Sequence, residues 1–331
     1  MNNSNQNLEY FVEKFSKLKR DTAHGEQAPN KPVLLLATIQ LFENQIISNN
    51  QIYITAELTH AFSRIWNAFV TNKDKHPRFA LPFYHLRNEK GNWWNLIPNA
   101  GCETWIDISG SMRSFSNLSA AVAYAEIDNT LAELLKNKES RDILKRTLLS
   151  EYFSKNENQL PDYDSNKYIE GLTKQILEES PSIYEANMKT LSKNENQEVY
   201  LVEVYNRSDI FRRQIIRIYD ETCAMSELCV SSPFTITMVD ACHIEQFSKT
   251  FNNHPTNGIA LCPNLHRAFD RGIVSVDDNY EVILSKSFKE NMKSDYSFHQ
   301  LEGKRIMLPT EIKFHPSLEG FASHRKTVFK K

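Results

Sequence analysis

No run in the 331-residue chain approaches the roughly 18 apolar positions that a membrane-spanning helix needs. The start, MNNSNQNLEYF, has neither the basic nor the apolar region of an export signal. The expected location is therefore the cytoplasm, with no membrane partner. Cysteine is scarce and odd in number, five in all, which argues against a disulfide framework and fits a reducing compartment. No CxxC pair occurs, and structural zinc usually relies on such tight pairs. Cys223, Cys229, Cys242 and Cys262 are accordingly expected as buried thiols rather than as a zinc knot. Nor is there a strong charge of one sign. The net charge is −2, built from +2 over residues 1–150, −5 over 151–202 and +1 over 203–331. Any nucleic-acid contact must come from local clusters rather than a global field. No internal repeat is present, since the recurring KNENQ is too short to imply one.

What is there is a chain, 40% hydrophobic, long enough to bury one large core or two to three ordinary ones. The expected fold class is α+β and multidomain. In the first segment, NKPVLLLATIQLFEN places Pro32 at a first helical position before an almost continuous apolar run, which predicts a buried helix. TAELTHAFSRIWNAFV follows, with Thr55 as cap and Leu58, Phe62, Ile65, Trp66 and Phe69 on one face. RFALPFYHLRNEKGNWWNLIPN reads as a hairpin about a turn containing Gly91, with Pro82 on an edge or bulged strand. Ser116 to Tyr152 is Ala/Leu-rich and reads as helical.

Two polar stretches, Asn156 to Asp164 and Ser192 to Glu198, read as linkers around an acidic helical piece at Ile169 to Glu179. The expected domains are thus 1–155, mixed α/β; 156–202, an acidic helical linker; and 203–331. Beyond the second linker, NRSDIFRRQIIRIYDETC predicts a helix capped near Ser208, with Ile210, Phe211, Ile215 and Ile218 inward. Arg207, Arg212, Arg213 and Arg217 are left on its surface. Arg212 and Arg213 are candidate DNA contacts, with a solvated helix face as the equal alternative.

The chemistry concentrates in VDACHIEQFSKTFNNHPTNGIALCPNLHRAFDRG. Phe234 to Ile244 is extended, Gly258 to Cys262 is a short apolar strand, and Pro263 starts a brief helix that Gly272 ends. On that helix His266 and Asp270 stand i, i+4 and share a side, while Leu265 and Phe269 share the other. One face packs and the other can hold a cation. An imidazole and a carboxylate suit Mg²⁺, Mn²⁺, Ni²⁺ or Zn²⁺. Hydrolysis of a phosphodiester needs such a metal and a base for the attacking water. His243, on the first strand, can be that base, and Asn257 can tie the intervening loop together. His254, beside Pro255, reads as an ordinary loop histidine.

The spacing His243, Asn257, His266 resembles the HNH nuclease family. The wider pattern ACHI, NGIALC and LHRAFDRG, followed by the IVSVDDNYEVILS hairpin, is similar to its branch in modification-dependent restriction enzymes. The resemblance covers roughly residues 205–290 and implies a ββα-metal fold. It further implies His243 as general base, His266 as metal ligand, Asp270 as second ligand and Asn257 as loop organiser. Many HNH nucleases carry a metal-binding acid or histidine directly before the base, where Cys242 stands here. Asp240, on the same strand face as Cys242, is expected as the third ligand, and Cys242 as core.

Residues 25–120 resemble the sulfur-recognising domain of phosphorothioate-dependent restriction endonucleases, through NKPVLLLATIQLF and LPFYHLRNEKGNWWNL. The resemblance implies an apolar cup with a nearby cation, lined by Pro82, Phe83 and His85 with Lys31. An ordinary hydrophobic core accounts for the same residues equally well. The family usually has an aromatic residue before the proline, where Leu81 stands. Sulfur in place of a nonbridging phosphate oxygen keeps the charge but is larger, softer and less hydrated, so an apolar cup can favour it. Lys73, Lys75, Arg78 and Arg87 could contact backbone phosphates, which positions a protein without reading bases. The expected function is a metal-dependent endonuclease acting on double-stranded DNA, with phosphorothioate modification as its cue. The alternatives are an HNH nuclease of another defence system recognising unmodified DNA, and a catalytically inactive DNA-binding protein. A homodimer would suit double-strand cleavage, although nothing in the sequence marks an interface.

Overall fold

The computed structural model describes residues 3–20, 27–72, 76–108, 110–153, 160, 165–193, 197–230, 237–291 and 296–331. Two compact units emerge: residues 1–168 with 194–206, and residues 169–193 with 207–331. The division differs from the expected boundaries at 155 and 202. The acidic helical segment is not a separate linker: 169–193 counts with the second unit and 194–206 with the first. Most of the polar stretch Asn156 to Asp164 lies outside the described residues, as do Lys73, Lys75 and the start of the run from Phe234.

The first unit is built on α1 (Asn3–Ser16), α2 (Asn30–Glu43), β1 (Gln51–Ile52), α3 (Ala56–Phe69), α4 (Ala80–His85), β2 (Trp94–Pro98), α5 (Phe115–Ala121), β3 (Val122–Ile127), α6 (Asn129–Lys136) and α7 (Lys138–Phe153). Every residue of α2 from Pro32 to Phe42 is buried, as an apolar run without a polar face demands. It forms the axis of the core. Thr55 caps α3, its side chain accepting from Leu58 N at 3.3 Å. The three strands form an antiparallel sheet in the order β1-β3-β2.

Two sequence expectations fail here. LPFYHL is helix α4 rather than the first strand of a hairpin. Pro82 is its third residue, inside the first turn, where the missing N–H costs no helical hydrogen bond. Trp94 Nε1 donates to Phe83 O at 3.0 Å, so β2 packs against this helix instead of pairing with it. The Ser116 to Tyr152 stretch is interrupted by β3, whose Ala125 and Ile127 are buried in the sheet. A six-residue apolar run carries too little periodicity to separate strand from helix.

The remaining helices are α8 (Ser165–Glu178), α9 (Pro181–Leu191) and α10 (Gln197–Ile218). α10 begins eleven residues before the expected cap at Ser208, which sits mid-helix. In the second unit come β4 (Asp240–His243), α11 (Phe247–Thr250), β5 (Gly258–Leu261), α12 (Pro263–Asp270), β6 (Val274–Val276), β7 (Val282–Leu284) and α13 (Leu318–Thr327). β4 pairs with β5 and β6 with β7, both antiparallel. This gives two short strands followed by a helix, then the expected hairpin. Phe211 and Ile215 of α10 pack directly against Gly258, where a Cβ would overlap both side chains. α12 ends in a Schellman turn: Gly272, at φ +70°, donates to Phe269 O, and Ile273 donates to Ala268 O, both at 2.9 Å.

α13 is locked onto this unit by His324, which is buried. Its Nε2–H donates to Phe269 O at 3.0 Å, and Nδ1 accepts from the Ser275 hydroxyl at 2.8 Å. Both bonds use the neutral ring, and burial lowers its pKa to about 4. The unfolded chain titrates near 6.5, so between those values it binds a proton that the folded chain refuses. Stability is then full above about pH 6.5 and falls as pH drops toward 4, by roughly 3 kcal/mol for this residue. Urea unfolding across that range should show the decline. His324→Gln should be less stable at pH 7 and have a shallower dependence on pH.

Candidate functional site

The register pairs Asp240 with Leu261, Cys242 with Ile259 and His243 with Gly258, and α12 lies against both strands. Leu265 and Phe269 enter the core, leaving His266 and Asp270 on the outward side of α12. His266 Nε2 stands 3.4 Å from Asp270 Oδ2, and its Nδ1 stands 3.4 Å from Asp240 Oδ2. Cys242 Sγ, fully buried at the base, is 3.8 Å from Asp270 Oδ1. Cys242, His266 and Asp270 bring their donor atoms within 4.8 Å of one another, the one such group of three among the described residues. Cys242, His266 and Asp270 are all metal-ligand types and together can hold a divalent cation, while Asp240 contacts the other nitrogen of His266.

The grouping differs from the expected ligand set. Cys242 stands where Asp240 was expected, and Asp240 faces the opposite nitrogen of His266. Burial pushes the Cys242 thiol pKa well up, and the neighbouring Asp270 carboxylate adds to the rise. Among the described residues Cys223, Cys229 and Cys262 join no group of three potential ligands; Cys223 is buried as expected, but Cys229 is exposed and Cys262 only partly buried. Cys223 hydrogen-bonds with Cys262, which lowers the Cys223 thiol to about 5.

His243 is enclosed by aromatic rings, stacked on Phe211 with centroids 4.2 Å apart and flanked by Phe247 at 5.6 Å. Its pKa lies below the ordinary histidine value, chiefly because of burial. His266 lowers it further, while Asn253 and Asp270 act in the opposite sense. Its Nε2 is 2.9 Å from Asn253 Oδ1. An imidazole that donates there carries its proton on Nε2 and leaves the Nδ1 lone pair for chemistry. Asn253 is fully buried, and its Nδ2 donates in turn to Tyr184 OH of α9 at 3.2 Å. Nothing in the sequence marks Asn253 among the neighbouring asparagines, or Tyr184 some seventy residues away, because their role depends on tertiary contact alone.

Asn257 occupies the bend before β5. Its Oδ1 accepts from Glu245 N at 2.8 Å, and its Nδ2 donates to Glu245 O at 3.1 Å and to Asn252 O at 3.0 Å. One side chain thus closes the loop between β4 and β5. His254 accepts from Thr256 N and stays in the loop. Arg207, expected at the surface, is buried, with its guanidinium donating to Gln175 Oε1 at 2.8 Å and lying over Tyr184. Arg213 pairs with Asp209, and Arg212 is exposed.

In the first unit a cavity of about 500 Å³ is lined by Leu81, Pro82 and His85 and by the cations Lys19, Arg20, Lys31, Arg78 and Arg113. Pro82, His85 and Lys31 therefore come together. Phe83 does not: it is buried, edge-on to Trp94 with centroids 5.4 Å apart, because it lies on the core side of α4. Arg87 is also turned away, bonding to Ile106 O at 3.3 Å and Asp107 Oδ1 at 3.2 Å. Lys31 is ion-paired with the buried Glu89, so its charge is largely committed. Arg113 is exposed and without an ion pair among the described residues. It was invisible as a site residue because the short 3₁₀ turn Ser111–Arg113 that carries it is placed by the fold.

Comparison with known families places these sites in order. Residues 8–161 match the ScoMcrA-like DNA sulfur-binding domain, and residues 223–277 match the HNH endonuclease domain. The chain thus carries, in this order, a region similar to the ScoMcrA-like DNA sulfur-binding domain and a region similar to the HNH endonuclease domain. No curated protein matches significantly. Among solved structures, the modification-dependent TagI restriction endonuclease is 14% identical with a TM-score of 0.28, and the match covers 36% of this chain and 37% of that one. The Type IV phosphorothioation-dependent restriction endonuclease ScoMcrA is 11% identical with a TM-score of 0.33, over 78% of this chain and 94% of that one. This chain thus spans little more than a third of TagI. Among the described residues, no helix is long and apolar enough to cross a membrane.

Replacing Asn257 with alanine should strand the Glu245 N–H and two carbonyls in a partly buried loop, costing about 1–3 kcal/mol. Urea unfolding should register the loss, and the Glu245 amide should exchange with solvent markedly faster.

Proposed function

We propose that this protein is a metal-dependent endonuclease that cleaves double-stranded DNA bearing phosphorothioate linkages. The observation that carries the reading is the placement of His243. Its Nε2 is held by Asn253, and its ring feels the charges of His266 and Asp270. In this reading His243 Nδ1 removes the proton from the attacking water, a step for which its lowered pKa keeps it neutral and ready at pH 7. When bound at the His266 and Asp270 cluster, a divalent cation supplies charge stabilisation to the phosphate and leaving oxygen. Asp240 orients His266, and Asn257 keeps the loop that carries Asn253 closed beneath the base.

The first unit supplies selection. A wall of Leu81 and Pro82 offers little compensation to a strongly hydrated phosphate oxygen, while a softer, less hydrated sulfur loses less on entering. Arg78 and Arg113, which line the cavity, hold the negative charge that both linkages share. Lys31 contributes chiefly by keeping Glu89 paired.

His243→Ala should lower cleavage by about 10²–10⁴-fold in Mg²⁺, Mn²⁺ or Ni²⁺ while DNA binding persists. Unchanged cleavage would remove His243 from the base role. Absence of cutting by the wild type with any of these metals would favour a DNA-binding protein without catalysis. The same full-length His243→Ala variant tests selection, using matched duplexes that differ by one sulfur. The modified duplex should bind about tenfold tighter or more. Equal affinity would indicate a nuclease for unmodified DNA and leave the HNH assignment intact. Arg113→Ala should weaken binding to both duplexes alike and reduce the salt slope by about 1.

A further inference from the structure

We infer that the nuclease site takes its cation through sulfur: Cys242 supplies a thiolate ligand beside His266 and Asp270, while Asp240 stays outside the coordination shell. The inference rests on the nuclease reading of this site and specifies its metal.

The distances argue for it. Metal bonds of about 2.0–2.2 Å to nitrogen and oxygen and about 2.3 Å to sulfur, at tetrahedral angles, separate the ligand atoms by about 3.4 Å for nitrogen and oxygen and about 3.6 Å for sulfur and oxygen. His266 Nε2 and Asp270 Oδ2 are 3.4 Å apart, and Cys242 Sγ and Asp270 Oδ1 are 3.8 Å apart. The two separations involve the two oxygens of one carboxylate, so Asp270 lies between the imidazole and the thiol, and one ligand atom from each of the three residues lies within 4.8 Å of the others. Asp240 has the geometry of an outer partner. It meets His266 at Nδ1, the nitrogen opposite the one that faces Asp270, and an imidazole bound through Nε2 carries its remaining proton on Nδ1. Asp240 then accepts that proton in a hydrogen bond and fixes the ring.

The consequence is a choice among metals. Thiolate with imidazole and carboxylate favours Zn²⁺, Co²⁺ or Ni²⁺, whereas Mg²⁺ prefers an all-oxygen octahedral shell and retains its waters. On binding, the S–H bond of Cys242 breaks, its proton passes to solvent, and the sulfur lone pair forms the bond to the metal.

The test is titration of the metal-free full-length protein with Co²⁺. Expected is a near-ultraviolet sulfur-to-cobalt charge-transfer band saturating at one equivalent. The band should vanish in Cys242→Ser and in His266→Ala, and persist in Cys223→Ser and Cys262→Ser. Asp240→Asn should keep the band with affinity lowered about 10–100-fold. Because Cys242 is buried, folding of the serine variant is checked by its melting temperature without metal, and Zn²⁺ should raise that temperature in the wild type but not in Cys242→Ser. A band that survives in a folded Cys242→Ser protein overturns the inference. So does a wild type that cleaves DNA with bound Co²⁺ yet shows no such band, in which case the nuclease reading still stands. A wild type with the band but no cleavage supports the sulfur ligand and defeats the nuclease reading.

Discussion

An imidazole has two nitrogens, and a protein that uses the ring for chemistry must decide which one is free. The C-terminal unit makes that decision twice with neutral or carboxylate oxygens. Asn253 occupies Nε2 of His243, and Asp240 occupies Nδ1 of His266. Without these partners each ring could exchange tautomers and turn away, and neither would have a defined lone pair. The rest of the unit serves this constraint. Asn253 is buried and bonded to Tyr184, while β4 and α12 set Asp240 and His266 side by side.

Apolar packing gives the decision its rigidity. Phe211 lies flat against His243, and its helix can come so close only because Gly258, directly across the ribbon from His243, has no side chain. The same enclosure depresses the His243 pKa, so positioning and protonation state have one cause. Asn257 acts on the backbone instead, satisfying three polar groups that the loop would otherwise leave without internal partners. Another histidine, His324, is held neutral for structural ends, pinning the last helix to the carbonyl of Phe269, next to Asp270.

The N-terminal cavity follows a different economy of charge. Of the cations that line it, Lys31 is paired with Glu89 and Arg78 meets Glu198 at 3.4 Å, whereas Lys19, Arg20 and Arg113 are in no ion pair among the described residues. Cations in excess of their acidic partners favour an anion at such a cavity.

Short-range geometry was readable along the chain because it depends only on local repeats. The i, i+4 pairing of His266 with Asp270, the Gly272 stop, the Thr55 cap and the β6-β7 hairpin all follow from backbone periods and turn chemistry. LPFYHL misled because six residues cannot show whether their period is two or 3.6, and a proline in the first turn of a helix looks the same in sequence as one on an edge strand. Phe83 passed for a pocket residue for the same reason: which side of α4 faces the core is settled by Trp94 and its neighbours. The choice of Cys242 over Asp240 beside Asp270, and the reach of Tyr184 to Asn253, lay wholly with tertiary packing. Both require atoms distant along the chain to meet within a few ångströms, and no local pattern encodes such a meeting.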